Sequence, residues 1–186
     1  MKYLINLALF SILFFSGCYE ESGITSPVDS GSGHQLKLIQ LPTSFNGLAV
    51  ETITYSKDIN GNYGGEFSAQ YSYQSNSGTV SQYSTLVFDA GAFSGVKTIT
   101  QTFNTGGAAM DFGPPMQFQA TLKYTYKITG VDLSGVNPAT LTFVYIDANG
   151  NMYPVNYESI EIDEATGMLK VVNAELPHFS RYGFVN

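Results

Sequence analysis

Two stretches of this chain alternate apolar and polar side chains with a strict period of two, and that pattern restricts the fold more than any other feature. In Glu66 to Gln74, Phe67, Ala69, Tyr71 and Tyr73 share one face, and Ser68, Gln70, Ser72 and Gln74 the other. In Thr121 to Ile128, Leu122, Tyr124, Tyr126 and Ile128 oppose Thr121, Lys123, Thr125 and Lys127. Successive side chains of an extended strand point to opposite sides, so each stretch reads as a strand with one core face and one wet face. Further strands are expected over Leu36–Leu41, Leu48–Ser56, Tyr83–Asp89, Val96–Phe103, Thr140–Asp147, Ser159–Asp163, Met168–Val172 and Arg181–Val185. Turn chemistry separates them at Asn60-Gly61, Asn76-Ser77-Gly78, Asn149-Gly150 and Ala165-Thr166-Gly167. No stretch carries a helical stripe, and one helical turn around Leu133–Val136 is the most that is expected. The expected fold is all-β, a single antiparallel β-sandwich over residues 35–186 with Phe67, Leu122, Phe143 and Val171 buried.

Composition narrows the function classes. Charged residues are 12% of the chain, about half the usual share. Aromatics reach 14%, from 13 Tyr and 13 Phe with no Trp, too apolar for a disordered chain. A net charge of -7 with eight Lys and Arg excludes a nucleic-acid binder, which needs a basic face to neutralise phosphates. A single Cys excludes an internal disulfide framework and a Cys-cluster metal site.

That Cys lies in an informative place. Met1-Lys2 is a short positive region, and Tyr3 to Phe15 is an apolar run too short to span the roughly 30 Å hydrocarbon core as a helix. The run ends in Phe15-Ser16-Gly17-Cys18. This resembles the lipobox of bacterial lipoproteins, with Phe15 where Leu is usual, and implies a signal peptide over residues 1–17 and lipid on Cys18. Residues 18–34, rich in Ser, Gly, Glu, Thr and Pro, read as a lipidated Cys and flexible tether. Glu20-Glu21 resembles the acidic surface-export signals of some Bacteroidota lipoproteins. The expected location is the bacterial cell envelope, on the outer membrane or cell surface, with the membrane as partner through the lipid.

Several short motifs follow one another in a recognisable order. Gly64-Gly65 precedes a strand, Leu86 to Ala92 leads into a second, and Phe112-Gly113-Pro114 precedes Gln117–Ile128. Asn137-Pro138-Ala139-Thr140-Leu141 opens another, and His178-Phe179-Ser180-Arg181-Tyr182 closes the series. The order resembles ZU-five-type domains from about Leu48 onward, with Asp89 where that family usually places Pro. The resemblance implies a β-sandwich used for protein–protein contact or self-cleavage. In several such domains a matching H-F-S is cut between Phe and Ser, which would make Ser180 the nucleophile and His178 the general base.

Other chemistry is sparse. The chain lacks G-x-S-x-G, H-E-x-x-H, G-x-x-x-x-G-K-[ST] and paired C-x-x-C, and its only histidines are His34 and His178. Asp58-x-Asn60-x-Asn62 and Asp147-x-Asn149-x-Asn151 space oxygen ligands as calcium loops do, the second followed by Glu158. Asn-Gly hairpin turns account for both without a metal, and no metal or cofactor is expected. Loop tyrosines Tyr63 and Tyr153 are candidates for stacking on a glycan, and Glu158, Glu161, Asp163 and Glu164 read as a solvated face. The expected function is an envelope lipoprotein presenting a non-catalytic β-sandwich that binds a protein or glycan partner or serves structurally. Self-cleavage at Phe179-Ser180 and glycan binding as an accessory lipoprotein are the alternatives.

Overall fold

A computed structural model describes residues 36–45 and 51–186. The expected signal peptide over residues 1–17, Cys18, the expected tether with His34, and Leu48–Val50 of the expected strand Leu48–Ser56 lie outside the described residues. The described chain forms β1 (Thr52–Asn60), β2 (Gly65–Ser75), β3 (Gly78–Phe88), β4 (Val96–Asn104), β5 (Ala109–Gly113) and β6 (Gln117–Thr129). It continues as β7 (Thr142–Ile146), β8 (Met152–Pro154), β9 (Ser159–Asp163), β10 (Met168–His178) and β11 (Arg181–Val185). These strands make two antiparallel sheets, a front sheet in the order β2-β3-β6-β10-β9 and a back sheet in the order β1-β4-β5-β11-β7-β8. The sheets pack face to face as a β-sandwich, the architecture read from the alternation.

Most strands turn an apolar set inward, and Val144, Ile146 and Val185 pack with Leu38 and Met152 in a second, separate apolar cluster. Phe67, Leu122, Phe143 and Val171 are all buried. Rings from the two sheets interlock in the middle layer: Tyr126 stacks on Phe184 at 5.9 Å, and Phe143 meets Phe184 edge-on at 5.1 Å. Such pairs contribute about 0.5–1.5 kcal/mol each beyond the burial of their area.

Several strands differ from the alternation reading, and β3 already starts at Gly78 where Tyr83–Asp89 was expected. β10 was expected to stop at Val172 but runs on to His178. Val171 and Ala174 are both inward, so the inward spacing lengthens across Asn173 and the strict period breaks. The register against β6 shifts between those two residues, which is a β-bulge, and Asn173 sits at φ 50°. A bulge inserts one unpaired residue, so a period-two reading ends where the strand does not. The expected strand Leu36–Leu41 is reduced to a bridge between Leu38 and Val185. Two strands, β5 and β8, are additional: β5 is short and ends in Gly113 just before Pro114, and β8 is an edge strand ending in Pro154. Short elements beside Gly and Pro look like turns in sequence.

The connections gather at two ends. At one end the β1–β2 turn binds the β3–β4 connection, Gly61 N–H donating to Gly95 O at 2.9 Å and Gly91 N–H to Gly61 O at 2.8 Å. Phe179 closes this end, with Phe118 edge-on at 4.7 Å and Phe112 stacked at 5.6 Å. At the other end the segment Leu36–Phe45 bonds to β11 through Ile39 N–H and Phe184 O at 3.0 Å, then to β2 through Phe45 N–H and Gln74 O at 2.9 Å. It thereby ties the back sheet to the edge of the front sheet.

Candidate functional site

The residues singled out in sequence occupy separate places. Phe179 is buried in the ring cluster just described, and its N–H donates to Met116 O at 2.9 Å. The His178 ring lies edge-on to Tyr145 at 4.7 Å, and its carbonyl accepts the Tyr182 hydroxyl at 2.8 Å. Ser180 O accepts from Phe112 N–H at 3.0 Å. Among the described residues no hydrogen bond joins His178 to the Ser180 hydroxyl, and no positive φ falls between His178 and Ser180. Every contact there seats the crossing of the chain from β10 in the front sheet to β11 in the back sheet.

The two oxygen-rich loops serve their own turns. Asp58 Oδ1 accepts from Thr98 Oγ1 at 2.6 Å, and Asn60 Oδ1 from Asn62 N–H at 3.1 Å. Asp147 Oδ1 accepts from the N–H groups of Asn149 and Asn151, both at 2.8 Å. The Asn151 side chain, first among several donors, holds the Asp147 carboxyl below the usual carboxylate range. Glu158 lies elsewhere, accepting from Asn173 Nδ2 at 2.7 Å. Among the described residues no three His, Cys, Asp or Glu converge.

Tyr63 and Tyr153 are exposed, but Tyr63 follows β1 and Tyr153 lies on β8, at opposite edges of the back sheet. Five strand spacings of about 4.8 Å part those edges by roughly 24 Å, so the two rings do not form one platform. The acidic residues also disperse: Glu161 pairs with Lys170 at 3.0 Å, while Asp163 caps its own turn through Thr166 Oγ1 at 2.7 Å.

The sandwich does organise polar groups on the outer face of the front sheet. Register places Gln70 opposite Tyr83, Tyr83 opposite Lys127, Lys127 opposite Lys170, and Lys170 opposite Glu161. One row therefore crosses the whole sheet. Tyr83 and both lysines line a shallow hollow of about 260 Å³, with Thr85 and Thr125 on its floor. Two residues along each strand, or roughly 6.7 Å, separate neighbouring rows. A second charged row, Val87–Lys123–Glu175, runs parallel beyond Thr85 and Thr125.

The second row borders a larger hollow of about 420 Å³, shared with Asn156, Tyr157, Glu158 and Asn173. Lys123 Nζ donates to Glu175 Oε1 at 2.6 Å and Asn156 Nδ2 to Glu175 Oε2 at 3.1 Å. These donors, Lys123 first, hold the Glu175 carboxyl below the usual range. The bulge brings Asn173 into this group: its N–H donates to Thr125 Oγ1 at 3.2 Å while its amide reaches Glu158. Asn tolerates the left-handed region better than most side chains, and bulges re-aim side chains beside functional sites. Alternation marks Lys123, Thr125 and Lys127 as solvent-facing, but their neighbours come from strands far away in sequence. No protein-family model matches the chain, and no curated protein or solved structure matches it.

Proposed function

We propose that this chain is a bacterial cell-envelope lipoprotein, anchored through lipid on Cys18, whose β-sandwich is a non-catalytic binding module. The binding surface is the outer face of the front sheet. The carrying observation is the pair of adjoining hollows there, of about 260 and 420 Å³, lined by register-aligned Tyr, Lys, Asn and Glu side chains. Further support comes from the N-terminal sequence, where a short apolar run ends in Ser16-Gly17-Cys18. The non-catalytic reading is supported by His178 and Ser180, whose backbone bonds and ring contacts all serve packing.

Intact-mass measurement on the protein from fractionated bacteria tests both parts. The expected product is membrane-bound, begins at an acylated Cys18 and retains Ser180–Asn186, and Cys18→Ala releases it from the membrane. An unmodified Cys18 would overturn the anchoring. Loss of Ser180–Asn186 that is abolished by Ser180→Ala would overturn the non-catalytic reading in favour of self-cleavage.

A further inference from the structure

We propose that the Tyr83–Lys127–Lys170 row binds an acidic polysaccharide, holding the carboxylate or sulfate of one sugar between the two ammonium groups and the sugar ring against Tyr83. The proposal rests on the front-sheet face being the binding surface. It starts from an arrangement that a merely solvated face does not favour. Lys127 and Lys170 are directly opposite each other on adjacent strands, where like charges repel. Glu161, 3.0 Å from Lys170 Nζ, relieves one of them. Lys127 makes no ion pair among the described residues, and its Nζ lies 6.0 Å from the centre of the Tyr83 ring. The chain has fifteen acidic and eight basic residues, yet this row carries two lysines against one carboxylate, a local excess of positive charge. An anion between them removes a repulsion and gains charge-assisted hydrogen bonds.

The neighbours of the lysines define the rest of the ligand. Tyr83 is 39% exposed, a flat apolar surface beside the cations. Thr85 and Thr125 line the same hollow, and hydroxyls both donate and accept, as sugar hydroxyls do. A bare anion leaves Tyr83 unused, and a neutral sugar leaves Lys127 without a counter-charge. An acidic sugar uses both. The shallow, open hollow suits a polymer crossing the surface, whereas small molecules are held by enclosure.

The test is affinity electrophoresis of the purified full-length protein in gels containing polygalacturonate, dextran sulfate or neutral dextran. Polygalacturonate or dextran sulfate is expected to retard it, the two distinguishing carboxylate from sulfate, and neutral dextran is not. Lys127→Gln and Lys170→Gln each weaken binding by about tenfold, the scale of one lost charge-assisted bond. Tyr83→Ala weakens it as well, and Tyr83→Phe, which keeps the ring, retains it. Lys97→Gln on β4 of the back sheet makes the same charge change and leaves binding intact. All these side chains lie on solvent-facing positions, and a strand-type circular dichroism spectrum confirms that each variant is folded. Equal loss with Lys97→Gln would mean bulk charge attraction and overturn the proposal. Equal retardation by neutral dextran would overturn the acidic ligand while keeping the face as a binding surface. Retardation by none of the polymers would overturn the ligand class, while the state of Cys18 judges the anchoring separately.

Discussion

Removing the same hydroxyl from three buried tyrosines should change stability in opposite directions. Tyr124, Tyr126 and Tyr182 are all fully enclosed between the sheets. The Tyr126 hydroxyl donates to Gln82 Oε1, and Gln82 is itself buried. The Tyr182 hydroxyl donates to His178 O at 2.8 Å. The Tyr124 hydroxyl finds no partner among the protein groups around it. Desolvation pushes the pKa values of Tyr124 and Tyr126 well up, so both are neutral hydroxyls at any ordinary pH. Tyr182→Phe deletes one hydrogen bond and should cost about 0.5–1.5 kcal/mol. Tyr126→Phe also strands the Gln82 oxygen in the interior, which raises the expected cost to about 1–3 kcal/mol. Tyr124→Phe breaks no bond to protein and relieves a desolvated hydroxyl, for an expected gain of about 1 kcal/mol. The separation between Tyr124→Phe and Tyr126→Phe is therefore about 2–4 kcal/mol, and each kcal/mol moves Tm by about 2–4 °C for a domain of this size. Urea and thermal unfolding of the full-length protein read it directly. Equal destabilisation by all three substitutions would refute the reasoning, because the Tyr124 hydroxyl would then have a bonding partner as good as the others.

Two further predictions concern the backbone and the acid limit. Gly64 has φ +73°, and a Cβ there would lie 2.3 Å from Phe88 O, whereas Gly91 has φ +86° with nothing within 4 Å. Gly91→Ala should cost only the left-handed conformation, about 1–2 kcal/mol, and Gly64→Ala should cost clearly more by urea unfolding, since the β1–β2 turn must move. Asp147, Asp163 and Glu175 all have carboxyl pKa values lowered by hydrogen bonds in the fold. A lowered folded-state pKa gives stability that is present above the unfolded value and lost as pH falls through the folded one. Urea midpoints should thus be level from neutral pH to about 5 and fall below about 4. A decline that begins near neutral pH would contradict this assignment.

Alternation along Phe67–Tyr73 and Leu122–Ile128 was sufficient to read the sandwich, because a strand's two faces are a property of its own backbone. The same reading placed Phe143 and Val171 inside. It stopped short at Val172, since the bulge at Asn173 changes the phase that carries the signal. It also passed over β5, whose short span between glycines resembles a turn. The H-F-S segment was legible as a motif, but which groups surround Phe179 depended on Phe112 and Phe118 arriving from other strands.

What the sequence determined alone was thus local: which residues are strands, which side of each strand is wet, and the N-terminal pattern that points to a lipidated Cys18. Which wet side chains stand together was decided only by tertiary structure. Lys123 and Lys127 share one face of one strand, yet one meets Glu175 and the other meets Lys170. That difference follows from the register of β6 against β10, and the bulge at Asn173 resets it within a single strand pair. Register is set by how two buried faces interlock, which is a property of the pair and is written in neither strand by itself.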